Sequence, residues 1–446
     1  MTVPLAERAR DIVGAAQVVT DPEALAALAV DGVRPAVAVR PDSGEQTADL
    51  LTAAAARGAG VLPRGAGTHQ HLGGVPARAD LVIETTRLAG ITDYEPADYV
   101  VAVRAGTRLA DLQAALGEHG QWLPLDPPGA RTATIGGIIA ANRNGPRRLL
   151  YGSIRDMLIG MRVALPTGEV IKAGGKVVKN VAGYDLTKLF IGSLGAAGVI
   201  AEATFKISPF PGEGQTVLVT VPDRAAAHDL TAAVMRSFLL PAALEAANPS
   251  ALRQLTDAAG IAPAHAGDWG VLVLTEGLAE SRTRHVDEMR ALVGTRGRVD
   301  VLDGAAHGAL WTAVAEFPSP TAQPGAVICR AGAPIARWVD LAGAVEDVPT
   351  RGRPAALLAH AGVGLLYAAC AAEDGPAVAD TLARAAAAIR EPLSAYVVVE
   401  AAPPAIKPQL PLWGEPPGGL SLMRRLREQF DPRGIMVPGR LGWGLS

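Results

Sequence analysis

A glycine-rich loop at residues 63–74 has the sequence PRGAGTHQHLGG. Gly65, Gly67 and the Gly73–Gly74 pair remove Cβ atoms and permit positive φ, so consecutive backbone amides can converge on a phosphate, and Thr68 adds a hydroxyl. The same glycines would equally suit a tight turn after a strand, and the loop alone leaves both interpretations open. It does not fit the Rossmann pattern GxGxxG, because Gln70 occupies the position of the last glycine.

A second glycine cluster, GGK at 174–176, also fails a known phosphate-binding pattern. In a P-loop, Ser or Thr would follow the lysine and a glycine would stand five residues before the Gly–Lys pair. Here Val177 and Val170 occupy those positions. The sequence therefore gives little support to the common nucleotide-binding folds.

Two further segments carry small residues in an order that suits a flat ligand. Residues 126–145 read DPPGARTATIGGIIAANRNG and are followed by YGSIRD at 151–156. Gly136 and Gly137 follow Thr134 and precede an apolar run, so backbone could pack directly on a ring. The third segment, KNVAGYDLTKLFIGSLGAAGVIAEATFKI at 179–207, ends in an alternating pattern that predicts a strand.

Composition excludes several classes of function. Of 446 residues, 49% are hydrophobic and 19% charged, as in folded globular proteins, and the net charge of −3 gives no electrostatic footprint for nucleic acid. Cys329 and Cys370 are too few for an iron–sulfur cluster, which needs about four thiolates, and they suit a reducing cytoplasm. Any electron carrier is therefore organic. The N-terminus lacks the apolar stretch of a signal peptide.

Periodicity predicts two halves. In the first half, strands are expected at 35–40, 60–63, 81–84 and 99–104. One helix is expected from Ser43 to Arg57, and a second helix is expected to begin at Thr107, which would cap it. A hairpin is expected around residues 166–168. SPFPGEGQ at 208–215 indicates a domain boundary.

The second half predicts a β-α-β-β-α-β order, the ferredoxin-like unit, with strands at 326–331, 355–361, 363–370 and 395–401 and helices near 334–345 and 374–390. Residues 216–302 give a similar order, so two such units are expected side by side. Residues 355–372 approach the length of a membrane span, but Gly362 and Gly364 divide them into two buried strands. No transmembrane segment is expected.

The order PRGAGT, TIGG, YGSIRD and GYDL…GSLGAAGVI resembles the FAD domain of vanillyl-alcohol-oxidase-type (PCMH-type) flavoproteins over roughly residues 30–210. FDPRGIMVPGR at 430–440 resembles that family's closing segment. Within the family the likeness is greatest to the FAD-binding E subunits of glycolate oxidases, through KNVAGYDLTKLFIGSLG and IKPQLPLWGE at 406–415.

The resemblance implies an α+β fold: a PCMH-type FAD-binding domain of two α+β subdomains (1–210), a ferredoxin-like α/β cap domain of the FAD-linked oxidase C-terminal type (211–405) and a C-terminal segment (406–446) that returns to the FAD domain. The implied cofactor is FAD. The cofactor-binding residues that it implies are Pro63, Arg64, Gly65, Ala66, Gly67, Thr68, Pro128, Thr134, Ile135, Gly136, Gly137, Asn142, Gly145, Gly152 and Ile200.

Two histidines, His69 and His71, directly follow Pro63–Thr68, the part of the glycine-rich loop implied to bind the diphosphate (the phosphate loop). Some family members attach flavin covalently through a loop histidine that directly follows the paired glycines. Here Thr68 intervenes, so non-covalent FAD is expected and His69 is interpreted as a polar loop residue.

The cap domain departs from the catalytic pattern of related flavoproteins that oxidise D-2-hydroxy acids. Their HxGDGNxH, which provides histidines for a metal and the substrate, corresponds here to HAGVGLLY at 360–367. His360 remains, but Val363, Leu365 and Tyr367 replace Asp, Asn and the second His. We therefore expect a core role for His360, no metal and no assigned catalytic residue.

Weaker candidates stay open at this stage. Arg330 could bind a carboxylate bidentately, but an exposed arginine at a strand end fits the sequence as well. Glu400 stands where a related family has a Glu–His pair, but Ala401 follows it. Tyr184 could approach the cofactor or serve the core.

Three hypotheses for function follow. In the first, the chain binds FAD in a glycolate oxidase-like complex, beside a homologous catalytic FAD subunit and an iron–sulfur subunit, with peripheral membrane association only through these partners. In the second it is an autonomous FAD-dependent dehydrogenase of an unidentified hydroxy acid or alcohol. In the third it keeps the fold as a structural partner without the cofactor.

Overall fold

A computed structural model of the chain describes residues 4–176, 185–261, 267–389 and 395–445. The stretch 177–184, which contains Tyr184 and most of the KNVAGYDL sequence, lies outside them. The described residues form an α+β fold with sheets of four, five and two strands in the first half, followed by one sheet of eight strands. The cores of these parts are separate clusters of apolar side chains.

The first subdomain is built on a four-stranded sheet in the order β1-β2-β4-β3, in which β2 and β3 lie parallel to β4. Its elements are α1 (Leu5–Val13), β1 (Val18–Val19), α2 (Pro22–Ala26), β2 (Val37–Val39), α3 (Gly44–Ala55), β3 (Val61–Arg64) and β4 (Leu81–Glu84). Ser43 caps α3 by accepting a hydrogen bond from the Gln46 amide at 3.1 Å. The strands expected at 35–40 and 60–63 and the helix expected between them are confirmed, with β4 lying between the two strands in the sheet.

The second subdomain holds an antiparallel sheet in the order β5-β6-β10-β8-β9, and β7 pairs separately with β11. Its elements are β5 (Ile91–Glu95), β6 (Val100–Arg104), α4 (Leu109–Gly117), β7 (Gln121–Trp122), α5 (Ile135–Ala141), α6 (Arg148–Tyr151), α7 (Ile154–Met157), β8 (Leu158–Ala164), β9 (Val170–Gly174), α8 (Thr187–Phe190), β10 (Val199–Lys206) and β11 (Ser208–Pro209). The β8–β9 hairpin is confirmed.

The prediction that Thr107 caps α4 is wrong. The helix begins after Arg108 without a side-chain cap, and the Thr107 hydroxyl instead accepts a hydrogen bond from the Gly90 amide at 2.9 Å. The Thr107 hydroxyl is therefore bonded to the backbone at Gly90, which lies earlier in the chain, and not to the first turn of α4.

The cap is a single eight-stranded sheet in the order β15-β12-β14-β13-β17-β18-β16-β19. Its elements are β12 (Gly214–Val221), α9 (Arg224–Arg236), β13 (Ala243–Ala247), α10 (Pro249–Ala258), β14 (Trp269–Glu276), α11 (Ala279–Val293), β15 (Arg298–Leu302), α12 (Gly304–Glu316), β16 (Val327–Gly332), α13 (Trp338–Glu346), β17 (Ala356–His360), β18 (Leu365–Cys370), α14 (Gly375–Ala388) and β19 (Tyr396–Ala401).

The cap confirms the expectation of two ferredoxin-like units side by side. The pairing of β13 with β17 joins them into one continuous sheet. Residues 355–372 contain the antiparallel pair β17 and β18, joined by a turn in which Gly364 has φ +71°. Among the described residues, no helix is both long enough and apolar enough to cross a membrane.

The C-terminal segment runs back to the first subdomain. After the last helix, α15 (Leu420–Phe430), the Val61 amide donates to the Ile435 carbonyl at 2.8 Å and the Val437 amide donates to the Val61 carbonyl at 2.9 Å. These bonds extend the edge of β3, the strand that leads into the glycine-rich loop.

Side chains of the cap carry acceptors for donors of the first half. The Gly129 amide donates to Glu316 at 2.7 Å. Arg147 and the Tyr151 hydroxyl both donate to Glu276, at 2.7 and 2.8 Å. The cap is therefore fixed against the residues that surround the loop, rather than attached by a linker alone.

Candidate functional site

The glycine-rich loop opens into a cleft between the two subdomains of the first half. The cleft holds about 790 Å³ of empty space, open solvent included. Ten of the residues implied by the sequence line it: Pro63, Arg64, Gly65, Ala66, Gly67, Thr68, Thr134, Gly136, Gly137 and Ile200. Segments far apart in sequence thus meet around one space.

The loop presents backbone donors that the rest of the chain does not use. Within the described residues, the amides of residues 65–69 donate no hydrogen bond to another group. Gly67 has φ +82°, and a Cβ on Gly65 would lie 2.0 Å from the Thr134 hydroxyl oxygen. Glycine is therefore required at both positions, and the amides beside them are available to an anion.

Thr134 supplies an unpaired hydroxyl at the start of α5. Its Oγ1 is buried and has no hydrogen-bond partner among the described residues. Leaving a buried hydroxyl unpaired costs roughly 1–3 kcal/mol, and a polar ligand in the cleft would satisfy it. Arg64 also lines the cleft, and its guanidinium forms no ion pair with a described residue. These donors fit the phosphates of a dinucleotide.

Five of the implied residues do not line the cleft. The Pro128 carbonyl lies 3.1 Å from Nε2 of His69, and the Ile135 side chain is buried in the core of the second subdomain. Asn142, with φ +48°, ends α5 and lines a neighbouring cavity. A Cβ on Gly145 would meet the Asp126 carbonyl at 1.9 Å, and Gly152, with φ +83°, ends α6. The last three shape the backbone around the site.

Sequence reasoning missed part of the lining. Leu194 and Val437 line the cleft and both adopt positive φ, +52° and +44°, which is rare for such side chains. Neither residue carries a chemical signal in the sequence. Strained backbone of this kind clusters at ligand sites. Leu194 lies within the GSLGAAGVI motif and Val437 within the FDPRGIMVPGR segment, and these motifs were the available clues.

Asp31, Lys407 and Arg440 form a buried cluster of ion pairs, the ionic lock, that contacts the glycine-rich loop. The Lys407 ammonium donates to Asp31 at 2.7 Å and to the His71 carbonyl at 2.6 Å. Arg440 donates to the carbonyls of Gln70, at 2.6 Å, and Leu72. The IKPQLPLWGE stretch and the closing segment thus each place one cation under the residues that follow the phosphate loop.

The two loop histidines are held neutral. Burial, reinforced by the nearby positive charge of Arg143, lowers the pKa of both His69 and His71 to about 3. Nε2 of His71 is buried without a partner among the described residues. A neutral imidazole can exchange hydrogen bonds with a cofactor without adding charge to the site.

A second cavity lies where the first half meets the cap, and it shares Ala141 and Leu194 with the cleft. Arg143 and Glu400 form a buried ion pair across it, with Nη1 and Oε2 2.6 Å apart. The other Glu400 oxygen accepts from Nε of Arg330 at 2.5 Å, and Arg330 also donates to the Tyr396 hydroxyl at 2.6 Å.

Both carboxylate oxygens of Glu400 are thus engaged by arginines. Burial alone would raise the pKa of this carboxyl, but the charges of Arg143 and Arg330 outweigh burial and lower it to about 2. Glu400 is therefore ionised at neutral pH. The sequence left two interpretations of Arg330, a residue free to bind a carboxylate and an exposed arginine at a strand end. Neither describes it fully, because its side chain is largely buried and already paired with Glu400.

The HAGVGLLY segment has a structural and a cavity-facing part. His360 is buried and its Nδ1 lies 2.5 Å from Glu245, as expected of a core histidine. Tyr367, which replaces the second histidine, packs its ring edge-on against His360 and lines the second cavity. Burial, with the charge of Glu400, raises the pKa of Tyr367 to about 12, so its hydroxyl stays protonated at neutral pH.

Comparisons with known proteins agree with this geometry. Residues 35–174 match the FAD binding domain, and residues 211–396 and 413–441 match the C-terminal domain of FAD linked oxidases. The chain is 27% identical to the glycolate oxidase subunit GlcD of Bacillus subtilis over 91% of its own length and 89% of that protein's.

Two further similarities differ in extent. The chain is 45% identical to the glycolate oxidase subunit GlcE of Escherichia coli, but only over 27% of its own length and 35% of that protein's. A structure of p-cresol methylhydroxylase superposes on 98% of the chain and 96% of its own with a TM-score of 0.75 at 15% identity. This last similarity shows a shared fold.

Proposed function

The chain belongs to the family of FAD-linked oxidases and is an FAD-binding oxidoreductase, and from this premise we propose that it is the FAD-binding subunit of a glycolate oxidase-like or D-2-hydroxy-acid dehydrogenase-like complex. In that role it supports electron transfer from a homologous catalytic flavoprotein to an iron–sulfur subunit. The similarities to GlcD and GlcE, both subunits by name, support an assembly of this kind.

The observation that carries the proposal is a contrast between the two halves. The cleft of the first half has free loop amides and the unpaired Thr134 hydroxyl, which suit a dinucleotide. In the cap, Val363, Leu365 and Tyr367 replace the acidic, amide and imidazole side chains of the related catalytic pattern. Valine and leucine can neither ligate a metal nor accept a proton.

Each part of the site would have a defined task. The amides of residues 65–69 and the Arg64 guanidinium would bind the diphosphate of FAD, and Thr134 would donate a hydrogen bond to it. Gly136 and Gly137 would allow the flavin ring to approach the backbone. When bound, FAD accepts electrons and passes them on, and the protein sets its orientation and electrostatics.

The test begins with the chain purified alone. We expect a yellow protein with about one FAD per chain that loses flavin on dialysis, because no covalent link is expected. Under anaerobic conditions, glycolate and D-lactate should leave the flavin absorbance unchanged. A native complex recovered through this chain should contain a second flavoprotein and iron. Colourless protein, with no flavin taken up from added FAD, would contradict the proposal.

The alternative is an autonomous FAD-dependent dehydrogenase of an unidentified hydroxy acid or alcohol. It has support in the similarity to GlcD over nearly the whole chain and in the polar lining of the second cavity. Rapid bleaching of the flavin by any member of a hydroxy-acid and alcohol panel, with a dye as electron acceptor, would favour it over the accessory role.

A further inference from the structure

The two edges of the eight-stranded cap sheet differ. At one edge β19 is covered by a later segment, because the Val399 amide donates to the Leu412 carbonyl at 2.9 Å. At the other edge β15 pairs with β12 and with no other described strand. The backbone of residues 298–302 makes no hydrogen bond with any further described segment. An open edge of this kind is a template for another strand.

The side chains on this open edge carry opposite charges. Arg298 and Asp300 lie two positions apart, so they share one face of the sheet, with Nη2 and Oδ1 2.8 Å apart and the side chains 58% and 30% exposed. Val299 and Val301 lie on the other face and pack against the core of the cap. Like charges along an edge strand oppose pairing with a second copy. The alternating signs of this edge make it complementary to itself.

The geometry of antiparallel pairing restricts how two copies can meet. Only alternate residues of a strand direct their N–H and C=O groups towards one side, so facing residues must differ by an even number of positions. A two-fold axis at Val299 therefore places Arg298 of each copy opposite Asp300 of the other. An axis at Arg298 or at Asp300 places like charges opposite each other, and an axis at Val301 leaves both charges without a partner. Facing opposite charges stabilise a strand pair and facing like charges destabilise it.

We propose that the free edge of β15 is a self-association site, at which two copies of this chain pair antiparallel about a two-fold axis at Val299. The two cap sheets then form one continuous sheet, and two ion pairs between Arg298 and Asp300 set the register. Neither the cleft nor the second cavity is lined by a residue of β15. The proposal therefore does not depend on the proposed function, which flavin content tests separately.

Sedimentation velocity of the purified full chain, over a series from nanomolar to high micromolar concentration, measures the dimer. Arg298→Asp leaves acid opposite acid in both pairs, and Asp300→Arg leaves base opposite base. Each variant should raise the Kd of the dimer about ten- to thirty-fold, because two attractive pairs become repulsive. Thermal melting verifies that each variant is folded.

An equimolar mixture of the two variants is the decisive sample. Each acid of one chain then faces a base of the other, so a heterodimer should form with a Kd within about three-fold of the wild-type value. Arg384→Asp and Asp380→Arg are the matched controls, since they change the same charges in an exposed pair on α14. Alone or mixed, the controls should dimerise as the wild type does.

Cross-linking tests the register. Under oxidised glutathione, Val299→Cys should form a disulfide-linked dimer, because facing Cβ atoms of an antiparallel pair lie about 4.5–5.5 Å apart. Val301→Cys should cross-link far more slowly, since the proposed register separates its two copies by roughly 13 Å along the strands. Native Cys329 and Cys370 are buried.

Three results would overturn the proposal. The first is a wild-type chain that stays monomeric at every concentration, which would leave the edge to a different protein or to solvent. The second is a dimer that neither charge variant weakens, or that their mixture does not restore. The third is equal cross-linking of Val299→Cys and Val301→Cys, which would contradict an axis at Val299.

Discussion

Arg143 and Glu400 lie 257 positions apart in the chain and form an ion pair of 2.6 Å with both side chains at most 5% exposed. Arg143 follows α5 in the first half, and Glu400 belongs to β19 of the cap. Arg330 takes the second carboxylate oxygen. One carboxylate of the cap therefore compensates a buried cation of each half, and the relative position of the two halves depends on it.

Replacing Glu400 should destabilise the protein strongly. Glu400→Gln keeps the size of the side chain but leaves Arg143 and Arg330 without their counter-charge, and breaking a buried pair in this way costs roughly 3–5 kcal/mol. Denaturant unfolding measures the loss. Asp380→Asn is the control, because the Asp380–Arg384 pair is about 70% exposed and such pairs contribute roughly 0–1 kcal/mol. Equal unfolding midpoints for the two variants would contradict the structural role of Glu400.

The sequence predicted the elements that depend on local pattern. Apolar runs separated by helical segments predicted the strands of the cap and its two ferredoxin-like units, and the alternating pattern at 199–207 predicted β10. The glycines of the 63–74 loop predicted a phosphate site, and this loop lines a cleft with Thr134. In each case the decisive interactions join residues close in sequence or follow from the absence of a Cβ. Local chemistry was sufficient there.

It did not predict what tertiary contacts decide. The sequence was compatible with ordinary structural roles for Arg330 and Glu400, and it gave no indication of a role for Arg143. Their role depends on ion pairs between residues far apart in the chain. Thr107 fits a capping position by sequence, yet a turn at Gly90 takes its hydroxyl. Leu194 contributes through its backbone angle, which a leucine does not reveal in sequence.

Thr134 should favour cofactor binding without stabilising the cofactor-free chain. Thr134→Val removes a buried hydroxyl that has no partner in the described residues and whose burial is unfavourable, so the free energy of unfolding of the apoprotein should rise, by up to roughly 1–3 kcal/mol. If FAD accepts its hydrogen bond, the Kd for FAD should rise about three- to ten-fold. Fluorescence titration of the apoprotein with FAD measures this.

The matched control for that variant is Thr220→Val. The Thr220 hydroxyl is also buried and unpaired, but it lies on β12 of the cap. Its removal should leave FAD affinity unchanged. An equal weakening of FAD binding by both variants would mean that the Thr134 hydroxyl does not contact the cofactor.

Stability should fall on acidification below neutrality because of the two loop histidines. The folded pKa of His69 and of His71 is lowered to about 3 from an ordinary value of 6.5. Between these pH values the histidines bind protons in the unfolded chain but not in the folded chain. The free energy of unfolding therefore decreases progressively as pH falls from 6.5 towards 3, by at most about 1.4 kcal/mol per pH unit for each histidine.

Unfolding free energies at pH 7, 6 and 5 test this dependence. The double variant His69→Gln/His71→Gln should show a shallower loss than the wild type, whereas His119→Gln, at an exposed position, should keep the wild-type slope. A double variant with the full wild-type slope would show that other groups cause the acid sensitivity.

Asp31 should connect the C-terminal segment to cofactor retention. It is the counter-charge of two buried cations, with Lys407 at 2.7 Å and Arg440 at 3.5 Å. Burial lowers the pKa of Arg440 to about 10, so this guanidinium stays charged at neutral pH and needs its partner. Asp31→Asn removes the counter-charge while suiting the backbone, since Asp31 has φ +50° and asparagine tolerates the left-handed region. We expect a loss of roughly 3–5 kcal/mol in unfolding free energy.

The same variant should release FAD more readily. Lys407 and Arg440 hold the carbonyls of residues 70–74, directly after the phosphate loop, and cations without a counter-charge will draw water into this contact. The rate of flavin loss during dialysis, compared with Asp49→Asn at an exposed site on α3, measures the effect. A variant that is destabilised yet retains FAD as the wild type does would show that the lock supports the fold without shaping the loop.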